Sequence, residues 1–186
     1  MKRPFDIIFA LLILSGMSVF LVFISLAVLC TSRGPILHWS KRIGQNNTPF
    51  LMPKFRTMRM DTPDVATHLL EQPEKWLTPV GAFLRRTSLD EVPQLWSILR
   101  GDMSFVGPRP ALFNQYDLIA LRTNHDVQTL KPGLTGWAQI NGRDEISIKE
   151  KVLLDREYMT RKSFMFDLKI IMQTFVRLSG DKHVSH

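Results

Sequence analysis

Hydrophobic and polar positions divide the chain unevenly. From Ile7 to Cys30 the sequence IIFALLILSGMSVFLVFISLAVLC runs for 24 residues without a formal charge. At ~1.5 Å rise per residue, a helix of that length covers a ~30 Å hydrocarbon layer. A cleaved signal peptide has a shorter apolar stretch and a small-residue cleavage site. Here the run leads into Thr31, Ser32, Arg33, Gly34 and Pro35, which marks a retained membrane segment. Lys2 and Arg3 precede it, and Arg33, Lys41 and Arg42 follow it. Positive charge on one side would orient a spanning helix. Charge on both sides leaves two topologies open: a spanning helix, and a segment that enters, turns and leaves by the same face. Ser15, Gly16 and Ser18 near the middle can allow such a turn.

Beyond residue 35 no stretch is long and apolar enough to span a membrane, and there are no repeats. Pro63, Pro73 and Pro79 break any long helix over 61–79. Residues 83–100 read as helical turns stopped by Gly101. Residues 104–110, SFVGPRP, read as a stiff extended loop, and 131–143, KPGLTGWAQINGR, are rich in turn formers. In the C-terminal third Leu168, Ile171, Met172, Phe175 and Leu178 recur at helical spacing, with Arg161, Lys162, Lys169 and Arg177 nearby. That stripe reads either as a core face or as a helix lying in the membrane interface. The predicted fold class is mainly α with little β.

Composition sharpens this picture. At 186 residues, with 45% apolar and 22% charged positions, the chain is long and apolar enough for one folded domain and is not a disordered polymer. Cys30 is the only cysteine, which excludes an internal disulfide framework and a multi-cysteine zinc site. Twenty-four Lys and Arg against 17 Asp and Glu leave a net charge of +7, so an anionic partner is expected. The basic residues are scattered among motifs rather than gathered into a stripe with stacking aromatics, which argues against nucleic acid.

The candidate chemistry lies at Asp90 and Glu91. Ser88 with Glu91 matches a capping box, and Asp90 as a helix N-cap would place Pro93 in the first turn. A helix N-terminus also favours an ionised carboxylate and an approaching phosphate. Adjacent carboxylates point in different directions and so divide roles: one can attack while the other holds Mg²⁺, a hard cation that prefers oxygen ligands. Arg109, in Gly107-Pro108-Arg109-Pro110, sits on a backbone stiffened by prolines and makes a suitable fork for phosphate oxygens. Lys54, Arg56, Arg85, Arg86 and Arg143 add positive charge. Together these residues suit a pyrophosphate near a lipid. The five histidines have no metal-ligand spacing, and there is neither a P-loop nor a G-x-G-x-x-G.

The stretches KRPFDIIFALLIL, KRIGQNNTPFLMPKFRTM, GAFLRRTSLDEVPQLWSILRGDMSFVGPRP, KPGLTGWAQINGR and FDLKIIMQT follow one another in the order seen in the bacterial sugar transferase family. The sequence resembles these monotopic phosphoglycosyl transferases over nearly its whole length. The block from Arg85 to Pro110 is the most specific part.

The resemblance implies an enzyme at the cytoplasmic face of the bacterial inner membrane. A UDP-sugar binds with Mg²⁺, Asp90 attacks the β-phosphate and UMP leaves. Undecaprenyl phosphate then takes the phospho-sugar from Asp90. Glu91 is implied as the Mg²⁺ ligand, and Lys54, Arg85, Arg109 and Arg143 as phosphate-binding residues. An N-acetylated amino sugar is the expected donor, and downstream glycosyltransferases are possible partners. The implied organisation is a re-entrant membrane helix in residues 1–35, a cytoplasmic catalytic domain with interfacial amphipathic helices in 36–180, and a tail in 181–186, the small form of the family. One departure stands out: the family usually carries Ser-Pro at the bend, whereas Ser18 precedes Val19 here and the apolar run has no proline. The alternative function is a catalytically silent, membrane-tethered scaffold of a glycan assembly complex.

Overall fold

The computed structural model describes residues 2–62, 72–142 and 146–180, and it is mainly helical. Helix α1 (Lys2–Thr31) is unbroken. The Ser15 and Ser18 hydroxyls donate to carbonyls three residues back, without interrupting the helix. Its middle is apolar all round, and Leu11, Leu12, Val19, Phe20 and Phe23 stand exposed there. The helix packs through two patches. Ala10, with Phe9, Ile13 and Leu14, joins the main core around Met52, Ile98, Met103, Phe105 and Ile170. Ile24 and Val28 pack with Phe55 and Leu84.

Polar contacts fasten both ends of α1. The Lys2 ammonium lies 2.7 Å from Asp167 and donates to the Tyr158 hydroxyl and the Val106 carbonyl. Arg3 donates to the Ile98 and Leu99 carbonyls. Buried Asp6 accepts from the Ser104 hydroxyl and the Phe105 amide. At the other end, Arg56 donates to both the carbonyl and the hydroxyl of Ser32.

Strands β1 (Leu37–Ile43) and β2 (Pro49–Phe55) form an antiparallel hairpin in which Arg42 faces Phe50 and His38 faces Lys54. The expected scarcity of strands did not anticipate this hairpin. Pro49 and Pro53 weigh against a strand when read in sequence, because proline cannot donate to a ladder. They are accommodated because β2 pairs on one side only, and its other side packs against residues 89–94. β3 (Ser104–Val106) runs parallel to β5 (Gly133–Thr135), and β4 (Ala111–Leu112) pairs with β1.

The run 83–100 is helical but not continuous. It comprises α2 (Gly81–Arg86), a 3₁₀ turn (Leu89–Gln94) and α3 (Leu95–Arg100). Gly101, at φ 96°, ends α3 in the left-handed region that glycine adopts without strain. Helices α4 (Tyr116–Asn124), α5 (Trp137–Asn141), α6 (Ile148–Arg161) and α7 (Phe164–Gly180) complete the described fold. In α7 the buried residues are Phe166, Asp167 and Ile170, while Met172 and Phe175 are exposed. Of the predicted stripe, Leu168 is half-buried and Ile171 is half-buried against the core while Met172 and Phe175 are exposed, so the stripe straddles the edge of the core face. The tie from Asp167 to Lys2 and Tyr158 turns a neighbouring face inward. The Leu178 side chain and the tail 181–186 lie outside the described residues.

The backbone after β3 closely approaches the segment entering β5. A Cβ on Gly107 would fall 2.3 Å from the Lys131 carbonyl oxygen and 2.9 Å from the Gly133 nitrogen. Gly107→Ala is expected to force these segments apart and lower stability by about 1–3 kcal/mol, as overpacking does. Thermal melting of the purified variant checks this.

Candidate active site

Four backbone segments converge on the acidic pair. β2 supplies Lys54, α2 supplies Arg85, the 3₁₀ turn supplies Asp90 and Glu91, and the loop after β3 supplies Arg109. Ser88 turns the chain between α2 and the 3₁₀ segment with a left-handed φ of 56°. The expected capping box is absent: Ser88 makes no side-chain cap, and Glu91 reaches its neighbours instead. Asp90 lies inside the 3₁₀ turn rather than at an N-cap, with Pro93 also inside. The left-handed Ser88 explains both corrections, because it starts the turn one residue before the acidic pair.

The two carboxylates are held differently. Glu91 Oε1 accepts from Lys54 Nζ at 2.8 Å and from an Arg109 Nη at 2.9 Å. Burial alone would push the Glu91 carboxyl up, but the charges and hydrogen bonds of Arg109 and Lys54 outweigh it and hold the group well below its usual range. Asp90 is 7% exposed, and no hydrogen bond to its carboxylate is formed among the described residues. Burial raises its carboxyl to about 6; the Lys54 charge opposes this and the Glu91 charge adds to it. A helix N-terminus that lowers Asp90 is therefore not what governs it. The result is one anchored, permanently charged carboxylate beside one that is weakly solvated and ungripped. Such a carboxylate is a better nucleophile than one wrapped in donors.

Arg85 donates from Nε to Thr57 Oγ1 at 3.0 Å, and its guanidinium acts electrostatically on both carboxylates. Arg42, which the sequence reading took only as a charge flanking the membrane segment, also belongs here. It reaches the Pro110 carbonyl and the Ser40 hydroxyl, and it lies within electrostatic range of Arg109 and Glu91. Burial, reinforced by the Arg109 charge, lowers Arg42 to about 10, so it remains a cation at neutral pH. Its alternation along β1, inward beside Glu91, becomes legible only once the hairpin register is known. Arg143 lies outside the described residues. Arg56 and Arg86 are not among the groups around the pair; Arg56 instead fastens Ser32. Among the described residues, four cations thus surround the two carboxylates, a charge balance suited to a diphosphate.

For Mg²⁺, no group of three or more His, Cys, Asp or Glu side chains exists among the described residues. An all-protein cage is not what this ion needs, since it commonly takes one or two carboxylates together with substrate phosphates and water. Among the described residues both cations converge on Glu91 Oε1 and none on Oε2. The donor set therefore fits an ion held by Glu91 Oε2 and the substrate.

A family model described as bacterial sugar transferase matches residues 1–180. The chain belongs to the bacterial sugar transferase family. Among its relatives, the uncharacterized sugar transferase EpsL of Bacillus subtilis is 42% identical over 94% of this chain and 85% of its own length. The UDP-glucose:undecaprenyl-phosphate glucose-1-phosphate transferase of Escherichia coli is 43% identical over 94% of this chain. The undecaprenyl-phosphate glucose phosphotransferase of Komagataeibacter xylinus is 39% identical over 95%. This bacterial sugar transferase spans only 39% and 35% of those two proteins' lengths. The sequence-based recognition of the family is thereby supported by an independent match, and relatives in it are named sugar-phosphate transferases acting on undecaprenyl phosphate.

Proposed function

We propose that this protein moves a sugar-1-phosphate from a UDP-sugar to undecaprenyl phosphate through a covalent intermediate on Asp90. The observation that carries the reading is the contrast between ungripped Asp90 and anchored Glu91 within a cluster of four cations. An Asp90 carboxylate oxygen attacks the β-phosphorus of the donor. The bond from that phosphorus to the bridging oxygen breaks, and UMP leaves with the electron pair. A phosphate oxygen of the lipid then attacks the same phosphorus, the bond to Asp90 breaks and the carboxylate is restored. Lys54, Arg85, Arg109 and Arg143 hold the phosphates, and phosphoryl transfer gains mainly from such positioning and charge compensation. Bound Mg²⁺ would neutralise charge on the diphosphate and orient it.

We further place α1 in the cytoplasmic membrane with the domain on the cytoplasmic face. Two observations support this. The middle of α1 presents apolar side chains outward, and both of its ends are fastened to one domain, through Lys2 to Asp167 and through Ser32 to Arg56. Re-entry would keep both fastened ends on one face but needs a bend near Ser15–Ser18, and α1 runs unbroken through those residues. Exposed Met165, Met172, Phe175 and Val176 beside Lys169 and Arg177 support an interfacial role for α7.

The donor is expected to be an N-acetylated amino sugar. The names of the E. coli and K. xylinus relatives favour glucose as the second reading. UMP release by detergent-solubilised protein with Mg²⁺, undecaprenyl phosphate and UDP-glucose, UDP-galactose, UDP-N-acetylglucosamine and a UDP-diacetamido sugar separates them. Release from one donor is the expected result; silence with every donor favours the scaffold reading.

A further inference from the structure

We propose that Arg122, held by Asp155, is a positioning residue that sets the backbone of Pro108–Pro110 so that the Arg109 guanidinium meets Glu91. The proposal rests on the reading of Arg109 as a phosphate-binding residue.

The loop is short of donors of its own. Two of the four residues in Gly107-Pro108-Arg109-Pro110 have no backbone N–H, so the loop cannot hold itself by a ladder. Its donors come from elsewhere. Gly133 N–H donates to the Pro108 carbonyl at 2.9 Å. Arg122 Nη1 donates to the Arg109 carbonyl at 2.8 Å. Arg42 Nη1 donates to the Pro110 carbonyl at 3.2 Å. Three successive carbonyls are thus each held by a separate donor, and guanidinium groups hold those of Arg109 and Pro110.

Arg122 is itself fixed. Its Nε and Nη2 lie 3.0 and 2.6 Å from one oxygen of Asp155 on α6, and both side chains are nearly inaccessible to solvent. A buried ion pair of this kind gains little for stability over apolar packing. What the pair adds here is a charged donor at a fixed point, and Arg122 spends its remaining nitrogen contact on the carbonyl of Arg109 itself. The residue whose side chain holds Glu91 is therefore gripped by its own main chain. A displacement of about 1 Å at such a point costs on the order of 10²-fold in rate.

A double-mutant cycle tests this in the full chain. Arg122→Lys keeps the charge but cannot hold Asp155 and the carbonyl in one planar fork. It is expected to lower kcat/KM for UMP release roughly 10–100-fold. In an Arg109→Ala background the same change is expected to add less than about threefold, because the side chain being positioned is gone. An equal loss in both backgrounds would show a general structural role and overturn the proposal, as would a wild-type rate for Arg122→Lys. Should Arg122→Lys fail to fold, Asp155→Asn, which keeps shape and one acceptor, runs the same cycle. Titration of UDP into each variant gives a readout independent of turnover, with the same pattern expected in affinity. If the wild-type protein binds UDP but releases no UMP from any donor, the transferase reading fails while the UDP cycle still decides the positioning role.

Discussion

Asp90→Asn is expected to bring UMP release down to background, a loss on the order of 10³-fold or more, as removal of a covalent nucleophile does. The amide has nearly the shape of the carboxylate but no negative oxygen to form the bond to phosphorus. The variant also separates lost chemistry from lost fold. No described hydrogen bond depends on the Asp90 carboxylate, so an amide leaves no partner stranded. Burial raises this carboxyl from 3.8 to about 6, so the folded state disfavours its charge. That destabilisation is absent below about pH 4, where the group is neutral in both states, and is fully present above about pH 6. At neutral pH the variant is therefore expected to melt no lower than the wild type. Radiolabelled donor supplied without lipid should label the wild type and not the variant. Full turnover in Asp90→Asn would remove Asp90 from the reaction.

Glu91→Gln should show the opposite stability signature together with a rate loss of about 10²–10³-fold, the size seen when a preorganised electrostatic group is removed. Glu91 Oε1 is the common acceptor of Lys54 and Arg109. Without its charge, two cations face each other and Arg42 across a partly buried space, so both melting temperature and activity should fall. The Mg²⁺ concentration for half-maximal rate should rise as well, because the proposed ion would lose its anionic protein ligand. A Mg²⁺ titration that coincides with the wild type would take Glu91 out of the metal site.

Features with local causes were legible in the sequence. The apolar run made α1, Gly101 stopped α3, and the paired prolines marked the loop of Arg109. Features caused by distant contacts were not. Ser88 and Glu91 have the spacing of a capping box, but Glu91 is drawn to Lys54 on a strand 37 residues earlier. The hairpin was hidden by Pro49 and Pro53, and with it went the place of Arg42. The buried face of α7 is chosen by the tie between Asp167 and Lys2 rather than by its most regular apolar stripe. The acidic pair itself could be found in sequence, but not the difference between its members, since that difference is made by which neighbours donate and which do not.

The tie between the first helical turn and the last helices bears on how the protein is made. Lys2 binds Tyr158, 156 residues further along the chain. At translation rates of about 5–20 residues per second, that partner is synthesised on the order of ten seconds after the lysine. For that interval α1 lacks the part of its docking surface that α6 and α7 supply. Fastening of the apolar helix by α6 therefore follows its synthesis by that interval. The arrival of α6 and α7 closes contacts of high sequence separation, whose loop-closure entropy must be met late in folding.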